Sequence, residues 1–288
     1  MTVPPQSVTR RRVTTGLAWS APAVAAAVAA PLAAATPCVT TTFSDSWTSA
    51  NYSRVTTTTS VYQAPDPDGA GPASGVRIDI SASYGSNLKA GKAVGSDNWN
   101  LQASTNGTQG GTYTEYLAFH QAPLVSRYSN GGLYDDEGWD FTTASMGTAT
   151  QQRNTAAYTF TFDRPVDNLS FTILDIDSNG GNSTNQDFWD IVWLSAVNAS
   201  SPVSYSQTKA NSTHLLGDGS FSNPWRARNS NSPVDPTSAV GNVTVRFAQP
   251  VTKFTVYYGH GLRKRNGSAD PDQNIFISNL SFTHSVCR

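Results

Sequence analysis

Glutamate and lysine are almost missing from this 288-residue sequence, which has 2 Glu and 5 Lys against 67 Ser and Thr. A chain so poor in straight-chain surface residues has little from which to build amphipathic helices. Charge of one sign is lacking too: 19 Lys and Arg nearly balance 20 Asp and Glu. No whole-chain field exists to hold nucleic acid or an acidic membrane surface, so neither is an expected partner. The four histidines, His120, His214, His260 and His284, show no H-x-H or H-E-x-x-H spacing, which leaves no zinc motif. There is no Gly-x-Ser-x-Gly elbow for a serine nucleophile. What remains is an all-β, extracellular-looking composition, long enough for one large domain or two ordinary ones.

The first 35 residues read as an address. Arg10-Arg11-Arg12 precede an acid-free, Ala- and Val-rich stretch, Gly16 to Ala35, that carries Pro22 and Pro31 and ends in an A-x-A site at Ala33 and Ala35. Cleavage after Ala35 is expected, with residues 36–288 as the mature chain. The stretch is long enough to span a bilayer of ~30 Å, but two prolines and an alanine-dominated composition make a poor span. No membrane span is expected in the mature form. Pro37 directly before Cys38 also argues against a lipidation site. The paired arginines, followed by Val13 and by Gly16-Leu17-Ala18-Trp19-Ser20-Ala21-Pro22, resemble the twin-arginine (Tat) export signal of actinobacterial surface proteins. That resemblance implies a secreted or cell-surface protein. Removing the signal takes three arginines from 19 and no acid from 20, so the mature net charge is −4.

Cys38 follows the cleavage site and Cys287 is the penultimate residue. In an oxidising compartment, a Cys38 to Cys287 disulfide would join the ends of the mature chain and close a single domain, 36–288. A loop of about 250 residues removes on the order of 5 kcal/mol of denatured-state entropy in the chain-entropy model. A catalytic thiol is disfavoured, because both cysteines sit at termini. A split into two domains near Gln151 remains the alternative on length alone.

Period-two alternation predicts strands at Val76–Ile80, Tyr158–Phe162 and Val243–Phe247. An internal echo relates Phe162-Asp163-Arg164-Pro165-Val166-Asp167-Asn168-Leu169-Ser170-Phe171-Thr172-Ile173 to Phe247-Ala248-Gln249-Pro250-Val251-Thr252-Lys253-Phe254-Thr255-Val256-Tyr257-Tyr258. Both copies are expected to run strand, turn, strand, the proline withdrawing a donor at the turn. Asn279-Leu280-Ser281-Phe282-Thr283 repeats part of the motif as a last strand. This spacing suits a jelly-roll-like β-sandwich, and the repeated segments, roughly Thr155 to Val197 and Gly241 to Thr283, resemble jelly-roll modules of bacterial secreted surface proteins. The resemblance implies a surface or adhesion role. Two polar stretches, Gln63 to Gly75 and Lys209 to Gly241, are expected to be long loops.

Asp175-Ile176-Asp177-Ser178-Asn179-Gly180 places oxygen ligands at positions 1, 3 and 5 with Gly at 6, the spacing that wraps Ca²⁺ in a tight loop. Position 12 is Gln186 and no helix flanks the loop, which excludes an EF-hand. Asp187 and Asp190 could complete a site, so Ca²⁺ on Asp175, Asp177, Asn179, Asp187 and Asp190 is an expectation; the competing reading is a strand ending in solvated acids. Trp99, Trp139 and Trp225, with Tyr134, lie in Asn/Gly- or Asp-rich segments and are expected to form an exposed ligand-binding surface. Trp189 and Trp193 share one strand face with Ile191, where core packing is favoured over sugar stacking. Arg263-Lys264-Arg265 is read as a solvated hairpin tip.

These features predict a non-enzymatic binding or adhesion module that recognises an extracellular polysaccharide or wall polymer. The rival from another class is a glycoside hydrolase using Glu115 and Glu137, whose carboxyl groups would face each other across ~5 to 9.5 Å. A third reading is a structural envelope protein, recognisable by an exposed apolar patch without a sugar platform.

Overall fold

Alternation of apolar and polar side chains sets the architecture, because each strand can bury only every second residue. In Arg77–Tyr84, Ile78 and Ile80 are buried while Arg77 and Asp79 are exposed. The computed structural model describes residues 38–44, 46–47, 49–65, 75–92, 98–106, 112–123, 155–179, 188–229, 231–235, 237–260 and 273–287. Residues Val39–Val286 pack as one compact unit; the other unit, Met1–Cys38 with Cys287–Arg288, lies almost wholly outside the described residues.

The strands are β1 (Cys38–Ser44), β2 (Tyr52–Arg54), β3 (Thr59–Gln63), β4 (Arg77–Tyr84), β5 (Leu88–Ala90), β6 (Ala103–Asn106), β7 (Thr112–Pro123), β8 (Thr155–Leu174), β9 (Ser178–Asn179), β10 (Phe188–Asn198), β11 (Ser201–Pro202), β12 (Ser206–Lys209), β13 (Leu215–Leu216), β14 (Arg226–Ala227), β15 (Val243–Arg246), β16 (Val251–His260), β17 (Gln273–Ile277) and β18 (Ser281–Cys287). Among the described residues there is no α-helix, and no helix long and apolar enough to cross a membrane.

The fold is an all-β, jelly-roll-like β-sandwich. One sheet runs β2-β3-β4-β8-β16-β10-β11. The other runs β12-β15-β8-β17-β7, with β5 and β6 on β7, β18 on β8 and β1 on β18. The 20-residue β8 belongs to both: its first half pairs with β4 and β16, and its second half with β15, β17 and β18.

The first copy of the internal echo therefore does not turn at Pro165, as its sequence predicts, but continues as one strand across the sandwich. The second copy does break at Pro250, between β15 and β16. In β8 the change of partners is accommodated at Asn168, with φ 52°, a left-handed conformation that asparagine tolerates better than most side chains. Its Nδ2 donates to Thr283 Oγ1 at 3.0 Å.

The two inner faces meet ring to ring. Phe171 of the second half of β8 stacks on Phe254 at 4.7 Å and Phe119 on Tyr158 at 4.0 Å, while Phe160 stacks on its in-register neighbour Phe254 within the first sheet at 4.5 Å. Each buried ring of this kind contributes roughly 1.5–3 kcal/mol through area removed from water.

Candidate functional site

The outer face of the first sheet carries a second apolar cluster, separate from the core. Trp189, Ile191 and Trp193 on β10 point the same way, as their spacing requires, and pack with Ala227 and the half-buried Tyr257. Ala227 covers one end, where Trp189 Nε1 donates to its carbonyl at 3.0 Å. At the other end Trp193 stacks on Tyr257 of β16 with ring centroids 5.0 Å apart and 6° between planes. Phe221 closes edge-on against Trp193 at 5.6 Å and is 41% exposed.

Strand register explains why this wall faces a pocket. Ser83, Ala157, Tyr257 and Trp193 form one row across β4, β8, β16 and β10. Two bulky rings thus stand beside two small side chains, and the space over the small ones opens as a pocket of about 530 Å³ lined by Ser83, Ala157, Trp193, Ser195, Phe221 and Tyr257, among others.

Phe221 reaches this rim because the segment expected to be a long loop, Lys209 to Gly241, is stitched along β10. The amide of Leu194 donates to the carbonyl of Gly219, and Val192 and Trp225 exchange both backbone hydrogen bonds, at 2.9 and 2.8 Å. Gly219, at φ 78°, lies against the indole of Trp225, where a Cβ would collide with the ring. Trp225 is therefore not the surface residue its Asn-rich neighbours suggest: it is fully buried, with Nε1 bonded to Gln207 Oε1. Trp99 is half-buried, stacked on His120 at 5.0 Å with Lys92 Nζ 4.4 Å from its ring centroid. Tyr134, Trp139, Glu137, Asp187 and the Arg263–Arg265 run lie outside the described residues. Glu115 is in β7. Tyr257 and Phe221 carried no signal in the sequence beyond the odd–even alternation of β10 and β16, whereas the packing expected for Trp189 and Trp193 agrees with their burial, each being 7% exposed.

Behind the same sheet lies the acid cluster. Asp175, at φ 68°, Asp177 and Asp190 are all buried. Asp177 N–H donates to Asp190 Oδ2 at 3.1 Å, Tyr258 O–H to Asp190 Oδ1 at 2.7 Å, and Val234 N–H to Asp177 Oδ2 at 2.6 Å. Asp175 Oδ1 has no hydrogen-bond partner. Burial, and then the neighbouring Asp177, hold the Asp175 and Asp190 carboxyls well above the usual range. Asp177 is pushed up to about 7 by burial, against the lowering effect of the Val234 amide and Asp190. The competing reading of solvated surface acids fails for these three. Asn179 is half-buried in β9, opposite Phe188. Among the described residues, no three His, Cys, Asp or Glu side chains converge closely enough to hold a metal ion.

No protein-family model and no curated protein matches the chain.

Proposed function

We propose that this is a secreted or cell-surface binding module that holds a polysaccharide or wall polymer on the outer sheet face, with Tyr257 and Phe221 as its stacking wall, backed by the buried Trp193. The observation that carries this reading is the pocket over Ala157 and Ser83 beside that wall. Aromatic faces offer apolar surface to the C–H side of a sugar ring, while nearby hydroxyls take its polar edge. The test is retention of the mature chain, residues 36–288, on insoluble polysaccharides. Tyr257→Ala and Phe221→Ala are expected to weaken binding at least tenfold, about 1.4 kcal/mol, with thermal midpoints little changed. Retention of both variants at wild-type strength would place binding elsewhere.

Export through the Tat-type signal and cleavage after Ala35 belong to this reading, as does the Cys38 to Cys287 disulfide. Its support is the pairing of β1 with β18 and the Thr40 Oγ1 to Ser285 Oγ contact at 2.7 Å. That pairing brings the two end strands side by side, as a bond between the chain's ends would require.

A bracing Ca²⁺ at the Asp175 loop is a second part of the proposal, favoured by three buried carboxyl groups on which the charges acting are one another's and that of Asp235. Buried acids need protons or a cation to offset the loss of water. The ligands would be Asp175, Asp177 and Asp190, which would have to draw closer together than they stand in this structure, with Asn179 and Asp187 completing the shell. Ca²⁺ held at 100 times its dissociation constant should add about 2.7 kcal/mol, raising the thermal midpoint by several degrees over chelator, and Asp177→Asn should abolish the shift. An unchanged midpoint means that protons alone neutralise the cluster.

A further inference from the structure

The row next to the aromatic wall, along the strands, is Ser81, Thr159, Thr255 and Ser195, one residue from each of β4, β8, β16 and β10 in register. All four carry hydroxyls, spaced by the roughly 4.8 Å between neighbouring strands. Thr159 Oγ1 and Thr255 Oγ1 are 3.0 Å apart, which holds the two central hydroxyls in fixed orientation. Ser81 and Ser195, at the flanks, are exposed.

Among the described residues, no charge lies on this part of the face. Neither row contains an ionisable group other than the tyrosine, and no Asp, Glu, Lys or Arg is among the described residues lining the pocket. Charged side chains begin one row further along, about 6.8 Å away by the strand rise, where Asp79 and Lys253 stand on either side of Thr161. Asp79 is already occupied by Arg77, at 2.7 Å.

Resting on the polysaccharide reading above, we infer that the ligand is an uncharged glycan, seated in the pocket against Tyr257 and hydrogen-bonded by the adjoining Ser/Thr row. An acidic or phosphorylated polymer would have to bring its charge onto a partly dehydrated surface whose described residues offer aromatic and hydroxyl groups but no cation, and loss of water from an unpaired charge is costly. Hydroxyls that both donate and accept match the hydroxyls of a neutral sugar without such a cost. The aromatic row supplies apolar contact and the next row supplies orientation, an arrangement suited to a ring with one apolar and one polar side.

The test is retention of the mature chain on neutral insoluble glucan, mannan and xylan, beside immobilised polygalacturonate and a wall teichoic acid, at low and high salt. Binding to at least one neutral polymer, unaffected by salt, and none to the acidic ones, is expected. Thr159→Val combined with Ser195→Ala, near-isosteric changes that keep the fold, should lower that binding about tenfold. Salt-sensitive retention on an acidic polymer alone, lost in Tyr257→Ala, would overturn the neutral-glycan inference while leaving the binding face in place. Neutral binding that the hydroxyl variant leaves untouched would overturn the role of the Ser/Thr row. Retention on no polymer would overturn this inference and the polysaccharide reading together.

Discussion

Asp177 makes the acid cluster sensitive to pH in a direction that can be worked out. Its carboxyl rises from the ordinary 3.8 to about 7 in the folded protein, chiefly through burial. Between those values the folded state binds a proton that the unfolded chain releases, so stability is fully present at low pH and is lost as pH rises through about 7. In chelator, the thermal midpoint is expected to fall from about pH 5 to about pH 8, and Asp177→Asn should flatten that slope. A midpoint that climbs over this window would contradict the buried-acid description. Trp225 and Trp193 show what a sequence can say at this scale. Alternation along β10 fixed that Trp193 shares a face with Ile191, but not that this face looks away from the core. The polar neighbours of Trp225 suggested exposure, yet a segment that covers an edge strand can turn one large ring inward. Trp225→Ala is accordingly expected to cost about 3–5 kcal/mol, read as a shift in denaturant midpoint, rather than to weaken ligand binding selectively.

At the scale of elements, β8 departs furthest from expectation. Its alternation was legible on both sides of Pro165, and so were the apolar residues that enter the core. The continuity was not, because a proline between two alternating runs reads as a turn unless the partners of each half are known. A strand whose halves serve different sheets can accept a missing donor where one set of partners gives way to the next. Asn168 marks that position through its positive φ and its bond to Thr283. Asn168→Ala should cost about 1 kcal/mol through the left-handed backbone alone, plus the lost side-chain bond, and Asn168→Gly should cost less. A midpoint measurement on the two variants checks the order; Gly more damaging than Ala would refute the backbone explanation. The segment from Lys209 to Gly241 was equally hard to place, since its edge pairing with β10 rests on backbone groups that side-chain periodicity does not report.

For the whole molecule, the sandwich class followed from composition and alternation, whereas the proposed binding face depended on which strands lie side by side. The aromatic row joins residues from β4, β8, β16 and β10, far apart in the chain, and no local motif encodes it. The proposed closing disulfide would also act at this scale: the purified mature chain should have a mass two hydrogens below the all-thiol value, and reduction should lower its thermal midpoint by several degrees. An unchanged mass after thiol alkylation without reductant would confirm the bond, and labelling of both cysteines would exclude it. The sharing of β8 has one more consequence, in the order of assembly. This strand must be flanked by β4, made long before it, and by β15 to β18, made after it, so neither sheet has its central partners until nearly the whole chain has been synthesised. Contacts that close such long stretches of chain make folding slow, on the millisecond-to-second scale even for small β-proteins, and a chain shortened before β16 would leave the first half of β8 paired with β4 on one edge and open on the other.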